Sequence, residues 1–205
     1  MSAIRLGTRA STLATTQSEM VAGLLRSEGL DVNLTTITTH GDTSTASLAA
    51  MGGIGVFASA IRAALLEGEA DIAVHSFKDL PTGRPLGLAI GAVPARADPR
   101  DALVARDGLT LHDLPQEASV GTGSPRRAAQ LLAVRPDLTI VDIRGNVDTR
   151  LGRVKGLGRY AKNGGKEDLD AVVLAASGLA RLGHSGAVTE FLDPSVVLPA
   201  PAQGA

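Results

Sequence analysis

Between Ile4 and His75 the chain alternates short aliphatic runs with helix-patterned stretches, and this alternation narrows the possible folds more than any other feature. Ile4-Arg-Leu-Gly7 reads as a short strand. Ser11 can cap a helix that carries Leu13, Gln17, Met20, Val21, Leu24 and Leu25 at helical spacing until Gly29 stops it. A second strand is expected from Val32 to Thr38, followed by the polar stretch His40–Ser47 and a Gly-rich turn, Gly52–Gly55. That turn leads into a helix with Phe57, Ile61, Ala64 and Leu65 on one face, and Asp71–His75 follows as a buried strand. Strands and helices in strict alternation, with short joints, predict an α/β fold whose mainly parallel sheet has helices on both faces. In such a sheet, functional groups gather at the carboxyl ends of the strands.

The pattern continues with an expected strand at Leu86–Val93 and an apparent crossing at Pro94–Arg100. A second doubly wound lobe is predicted with strands at Ala102–Ala105, Ser119–Gly121, Thr139–Ile143 and Ala171–Ala176, and with helices beginning near Pro125, Val147 and Gly178. Lys155–Asp168 has four glycines, several charges and no apolar period, so it reads as an exposed loop. Val196–Pro199 resembles a strand returning to the first lobe. The expected division is residues 1–95 plus 196–205 for lobe 1 and 96–195 for lobe 2, with two crossings and a cleft. No internal repeat of about 20–50 residues is visible.

Composition removes several function classes. The 205 residues include no cysteine, so disulfide scaffolds, thiolate metal sites and catalytic thiols are excluded within this sequence. Twenty basic and twenty-one acidic side chains leave a net charge of −1, which lacks the basic excess of a nucleic-acid or membrane-surface binder. Phe57, Phe77, Tyr160 and Phe191 are the only aromatics, too few for a base-stacking platform. The sequence shows neither a leader pattern nor about 18 apolar residues in succession, so the expected setting is the cytoplasm, without a membrane partner.

Two segments stand out chemically. Asp71–His75 runs into Ser76-Phe-Lys-Asp-Leu-Pro81, which sets Lys78 and Asp79 side by side at a strand end. An ionised Asp79 there could accept an N–H and stabilise developing positive charge on a substrate; the plainer alternative is a surface pair in a turn. Gly121-Thr-Gly-Ser-Pro-Arg-Arg127 ends a strand, turns on two glycines and opens a helix with Ser124 as cap and Pro125 in the first position. Thr122, Ser124, Arg126 and Arg127 around unpaired helical N–H groups suit a carboxylate or phosphate. No Walker Gly-Lys-Ser/Thr ending follows, and no Gly-x-Ser-x-Gly elbow, dinucleotide fingerprint or spaced His ligand set occurs.

Arg9, Arg144, Arg150 and Arg181 also fall at or after predicted strand ends. Sixteen of the twenty bases are Arg, which coding bias could produce, and any single Arg is ordinarily a solvated side chain. Guanidinium groups at several strand ends that converge on one cleft predict a polyanionic ligand, because each planar fork can grip a carboxylate through two hydrogen bonds. His75, on a buried strand, reads as a core residue.

Six motifs in collinear order carry a family resemblance: Leu6–Ser11, Ala73–Pro81, Asp98–Ala102, Gly121–Arg127, Arg144–Arg150 and Pro199–Gly204. Together they resemble hydroxymethylbilane synthase, also called porphobilinogen deaminase, over essentially the whole chain. The resemblance implies two lobes of the type II periplasmic-binding-protein kind. It also implies a transferase of tetrapyrrole and haem biosynthesis that joins four porphobilinogen units into linear hydroxymethylbilane with release of ammonia, as a cytoplasmic monomer acting on a small molecule. The growing product would stay attached through a dipyrromethane cofactor. By position, Asp79 would be the catalytic carboxylate that handles pyrrole N–H groups and the azafulvene-type cation left when ammonia departs. Arg9, Ser11, Lys78, Thr122, Ser124, Arg126, Arg127, Arg144, Arg150 and Arg181 would hold acetate and propionate arms, with Gln17, Ala175 and Gln203 nearby.

Three departures accompany the resemblance. Family members carry a third domain whose cysteine anchors the dipyrromethane, and this sequence contains neither; the expectation is a fragment of a longer product, the alternative a truncated relative that cannot anchor the cofactor. Ile54 stands where many relatives have Lys, and Lys155–Asp168 is longer than the corresponding loop. The rival expectation is a two-lobed anion-binding module without catalysis, like a solute-binding protein. Asp79 separates the two, since a pure anion receptor gains nothing from a carboxylate among its Arg residues.

Overall fold

The computed structural model describes residues 2–38, 58–83 and 85–205. It divides into two compact units, Met1–Ala95 with Ala205 and Arg96–Gly204. The Gly52–Gly55 turn, Ile54 and Phe57 lie outside the described residues.

In the first unit, β1 (Ile4–Thr8), α1 (Thr12–Ser27), β2 (Val32–Thr36), α2 (Ser59–Leu66) and β3 (Ile72–Ala73) follow the expected alternation. The sheet order is β2-β1-β3, and both pairings are parallel. Leu6, Ala22 and Val32 are fully enclosed, with Val21, Leu25, Leu34 and Ile72 packed around them. Ser11 caps α1 by accepting the Ala14 N–H at 3.4 Å. Gly29, at φ 81°, ends the helix in the left-handed conformation that glycine adopts without steric cost. The face of α1 differs from the one its apolar spacing predicts. Met20 and Leu24 are more than half exposed, while the buried positions are Ala22 and Ser18, whose hydroxyl donates to Thr8 Oγ1 at 2.7 Å. A small residue and a satisfied hydroxyl let the helix approach β1 more closely than two large side chains would.

The second unit comprises β4 (Asp101–Ala105), β5 (Ser119–Gly121), α3 (Pro125–Val134), β6 (Thr139–Val141), α4 (Val147–Leu151), β7 (Ala171–Ala175), α5 (Ala176–Arg181) and β8 (Glu190–Phe191). Its sheet runs β6-β5-β7-β4-β8. β5 is parallel to β6 and β7, whereas β4 is antiparallel to both β7 and β8, so the sheet is mixed. Period-two alternation divides the central strands between two cores. Leu103, Ala171 and Val173 face Leu131, Leu192 and Val197; Ala102, Val104, Val172 and Leu174 face Ile143, Leu151, Leu169 and Leu179.

Two expected segments are corrected. Leu86–Val93 forms no strand; Leu86 is 94% exposed and Ile90 60%. Val196–Pro199 is no returning strand either. Val197 is buried in the core of the second unit and Leu198 N–H donates to Gln130 Oε1 at 2.8 Å, so residues 196–204 pack with that unit and Ala205 alone belongs with the first. Lys155–Asp168 is exposed over most of its length, as expected of a loop, and is also tied down. Gly158 N–H donates to Glu167 Oε1 at 2.6 Å, Gly165 N–H to Gly158 O at 3.1 Å, and Tyr160 packs against the second core.

Candidate functional site

In the second unit the site grows from the end of β5. Gly121 and Gly123 are required by close approach, since a Cβ on Gly121 would lie 2.6 Å from Leu169 Cδ1 and one on Gly123 would lie 2.7 Å from the Ile143 carbonyl oxygen. Thr122 N–H donates to Val141 O at 3.0 Å, and its hydroxyl accepts the Ser124 N–H at 3.2 Å. Ser124 caps α3 by accepting the Arg127 N–H at 3.4 Å, with Pro125 in the first turn. This turn aims Arg126 and Arg127 from the first turn of the helix.

Both guanidinium groups meet a carboxylate that the sequence reading did not single out. Asp101, at the start of β4, is fully buried. It accepts Arg127 Nη2 on Oδ1 and Arg126 Nη2 on Oδ2, each at 2.7 Å, and Gln203 Nε2 on Oδ1, also at 2.7 Å. Burial opposes the charge on Asp101. The hydrogen bond and charge of Arg127, with the bonds from Arg126 and Gln203, outweigh it and hold the carboxyl below its usual range. Arg127 Nη1 donates to Val173 O at 3.1 Å, and Arg126 Nη1 donates to Leu198 O.

Around this centre the positive charge is in excess. Burial lowers the pKa of the Arg150 guanidinium, and the charges of Arg127 and Arg144 add to that, against the pull of Asp142. Arg150 Nε donates to Gly145 O at 2.9 Å. Arg181 is also pushed down by burial, and its Nη2 donates to Gly204 O at 3.1 Å. Among the described residues, no ion pair engages Arg144, Arg150 or Arg181. Three buried polar atoms have no hydrogen-bond partner there: Arg127 Nε, Arg144 Nη1 and Gln203 Oε1. Arg127 Nε and Arg144 Nη1 are donors, and buried donors left unpaired are costly, so these two suit a ligand that brings acceptors. Ala175, at the end of β7, is half-buried and caps α5 through its backbone position.

In the first unit, β3 leads through His75 and Ser76 into a 3-10 turn over Phe77–Asp79. Asp79 N–H donates to Ser76 O at 2.9 Å and Phe77 N–H to Ala205 O at 3.0 Å, which leaves the side chains of Lys78 and Asp79 exposed. Gln17, on α1, accepts the Ser76 hydroxyl at 3.0 Å and so braces the turn. Ser11 is occupied as a helix cap. His75 is half-buried rather than a core residue; burial lowers its pKa, and the charges of Arg62 and Arg9 add to that against Asp79. Arg9, Arg62 and Asp79 therefore all lie within electrostatic reach of His75. Arg62 and His75 were not singled out for this site, because a base on an amphipathic helix and a histidine on a strand carry no local signal of meeting.

Among the described residues no cluster of His, Asp and Glu could hold a metal ion, and no helix is long and apolar enough to cross a membrane.

Comparison with known proteins gives a family match and several relatives. The family described as "Porphobilinogen deaminase, dipyromethane cofactor binding domain" matches residues 4–205. The porphobilinogen deaminase of Micrococcus luteus is 59% identical over 212 residues, covering 100% of this chain and 56% of the relative. That of Leifsonia xyli is 59% identical, covering 99% and 59%, and that of Thermobifida fusca is 55% identical, covering 98% and 60%. The chain thus spans less than two thirds of the length of these relatives. Among solved structures, YehZ from Escherichia coli aligns with a TM-score of 0.46 at 13% identity, covering 98% of this chain and 78% of that one.

Proposed function

The chain belongs to the porphobilinogen deaminase family, and from that premise we propose that it is the part of such an enzyme that binds the dipyrromethane cofactor and porphobilinogen and carries the catalytic carboxylate. The reaction is the joining of four porphobilinogen units into hydroxymethylbilane with loss of ammonia. Each pyrrole unit carries two carboxylates, so the ligand gains negative charge as it lengthens. Arg126, Arg127, Arg144, Arg150 and Arg181 would hold those arms, with Arg9, Ser11 and Lys78 serving the same end in the first unit and Thr122 and Ser124 offering hydroxyl donors. Gln17, Ala175 and Gln203 would border the bound rings. When bound, the dipyrromethane supplies a free pyrrole α-carbon to which the first unit is joined.

Asp79 is the residue we assign to the chemistry. Its carboxylate would accept a pyrrole N–H and oppose the positive charge that develops on the ring as the amino group leaves. It supplies charge rather than a covalent bond, so its value depends on being ionised and in place before the reaction. The protein is taken to be a cytoplasmic monomer acting on a small molecule, and a net charge of −1 gives it no electrostatic footprint for nucleic acid.

The observation that carries this reading is the excess of half-buried guanidinium groups around Arg127, Arg144 and Arg150, with unpaired buried donors among them. Calorimetric titration with porphobilinogen and with its dimethyl ester tests it. The free acid is expected to bind and the ester to bind at least about tenfold more weakly, since charge-assisted hydrogen bonds are lost. Equal binding of acid and ester, or none of either, would overturn the reading.

A further inference from the structure

Asp101 lies where it can decide how two of the proposed ligand-binding arginines point. It is fully buried, and each of its oxygens takes one guanidinium nitrogen at 2.7 Å, Arg127 on Oδ1 and Arg126 on Oδ2. Arg127 is anchored a second time through Nη1 to the Val173 carbonyl, which fixes its plane and leaves Nε as its one buried, unpartnered nitrogen. Arg126 is likewise held at Leu198 O. A third donor, Gln203 Nε2, shares Oδ1 with Arg127 and also reaches Pro99 O at 2.8 Å. With its amide nitrogen turned inward to two acceptors, Gln203 must present Oε1 on the other side, where that atom too is buried and unpartnered.

One carboxylate therefore sets the orientation of three side chains drawn from two distant stretches of sequence, the start of α3 and the turn ending at Gly204. That turn is rigid in its own right. Gly204, at φ 95°, sits so close to the Ala97 carbonyl that a Cβ there would lie 2.6 Å from the oxygen, and Gln203 O accepts Arg96 Nε at 2.9 Å. The charge balance is incomplete in a useful direction, because two guanidinium groups face one carboxylate and Arg144 and Arg150 lie nearby. Asp101 thus compensates part of the positive charge without cancelling it.

We infer that Asp101 is a positioning residue of the anion-binding site: it touches no ligand, it aims the guanidinium groups of Arg126 and Arg127 toward an anion, and it turns the amide oxygen of Gln203 to accept an N–H. This rests on the proposed function, since the ligand in question is the carboxylate-bearing pyrrole. It also separates aim from charge. Asp101→Asn raises the net positive charge of the cluster, so a site governed by charge alone would bind an anion more tightly. A site governed by aim would bind it more weakly, because the neutral amide cannot hold two forks at once.

The test is porphobilinogen titration of the wild type, Asp101→Asn and Asp101→Glu, with arginine side-chain NMR on each. Wild-type binding establishes the underlying reading, and its absence defeats that reading separately. The expected result is about tenfold or greater weakening in Asp101→Asn, with broadened or averaged Arg126 and Arg127 signals, and partial recovery in Asp101→Glu. Unchanged or tighter binding in folded Asp101→Asn overturns the inference, as does weakened binding with the two arginine signals unmoved. Should the variants not fold, the wild type decides. Saturating porphobilinogen must leave the Nη protons bonded to Asp101 protected from exchange; their release would mean that ligand and Asp101 compete for the same forks, and the positioning role fails.

Discussion

Arg127 and Asp101 are joined at 2.7 Å inside the second unit, where the carboxylate is fully buried and the guanidinium nearly so. An arginine at a helix start is ordinarily read as a hand held out to a ligand. Here its Nη2 and Nη1 are committed to Asp101 and to the Val173 carbonyl, and Nε alone is unspoken for. The same side chain thus secures the fold and lends part of its charge to the site. Truncating it should do two kinds of damage.

Arg127→Ala removes the closest partner of a buried carboxylate and is expected to cost about 3 kcal/mol of stability, the usual scale for leaving one member of a buried pair behind. Urea unfolding followed by circular dichroism measures it. Arg126→Ala should cost less, because Arg126 is 27% exposed and Asp101 keeps Arg127 and Gln203. Both variants should also weaken porphobilinogen binding by a few kcal/mol at most. A stability loss below about 0.5 kcal/mol for Arg127→Ala would show that the pair is not a structural element.

Asp79→Asn should behave in the opposite way. The side chain is exposed on a short turn whose backbone is held by Asp79 N–H to Ser76 O and Leu80 N–H to Phe77 O, so unfolding stability should change by no more than about 0.5 kcal/mol. Turnover in the enzyme should fall by about a hundredfold or more, as when a preorganised electrostatic partner of a transition state is removed. Ammonia release per enzyme is the measurement. Turnover like that of the wild type would take Asp79 out of the mechanism.

How much of this could be read beforehand depends on where the information sits along the chain. Ala102–Ala105 and Ala171–Ala175 are aliphatic runs bounded by charged or helical residues, and both are strands buried on two faces. Ser119–Gly121 and Pro125 were legible because glycine, a capping serine and a first-turn proline each have a local mechanism. The antiparallel course of β4 had no local signal, because strand direction is set by pairing across the sheet. Leu86–Val93 has strand composition but pairs with no strand among the described residues. Asp101 could be noticed as part of a motif, yet its role could not, since its partners lie 25 and 26 residues away for Arg126 and Arg127 and 102 for Gln203. His75 was misjudged for a similar reason: only the fold brings Arg62 and Arg9 near it.

Two groups give the stability a distinct dependence on pH. The His75 pKa is lowered in the fold, first by burial and then by Arg62 and Arg9. Below about pH 6.5 the unfolded chain takes up a proton that the native state resists, so stability should begin to fall there. Asp170 is held well below the usual carboxylate range. Burial opposes its charge, but Lys155 Nζ at 2.8 Å, Ser119 N–H and hydroxyl at 2.9 Å and Arg106 Nε at 2.9 Å prevail. Its contribution is complete above about pH 4 and is lost as pH falls through the native value. Urea midpoints measured from pH 8 to 3 should therefore decline gently below about 6.5 and steeply below about 4. Asp170→Asn should be less stable than the wild type at neutral pH, with the gap closing in acid. A gap that widened in acid would reverse the assigned sign.

Gly165 offers a sharper test of the segment that composition alone presents as a free loop. The chain from Lys155 to Asp168 doubles back on itself so tightly that a methyl group on Gly165 would overlap the carbonyl oxygen of Gly152, while one on Gly152 would lie 2.6 Å from Ala161 Cβ. Backbone on both sides leaves no flexible side chain to yield. Gly165→Ala should accordingly destabilise the second unit by about 1–3 kcal/mol, the cost of overpacking a closed contact. Gly186 is the natural control, since a Cβ there meets nothing within 4 Å and its φ is not positive; Gly186→Ala should stay within about 0.5 kcal/mol of the wild type. Tyr160 and Leu157 pack beneath the same segment, so loosening it should also speed protease cleavage between Lys155 and Lys166. If Gly165→Ala unfolds and is cleaved like Gly186→Ala, the segment is the open loop its composition suggests, and the packing around Gly152 is not a determinant of stability.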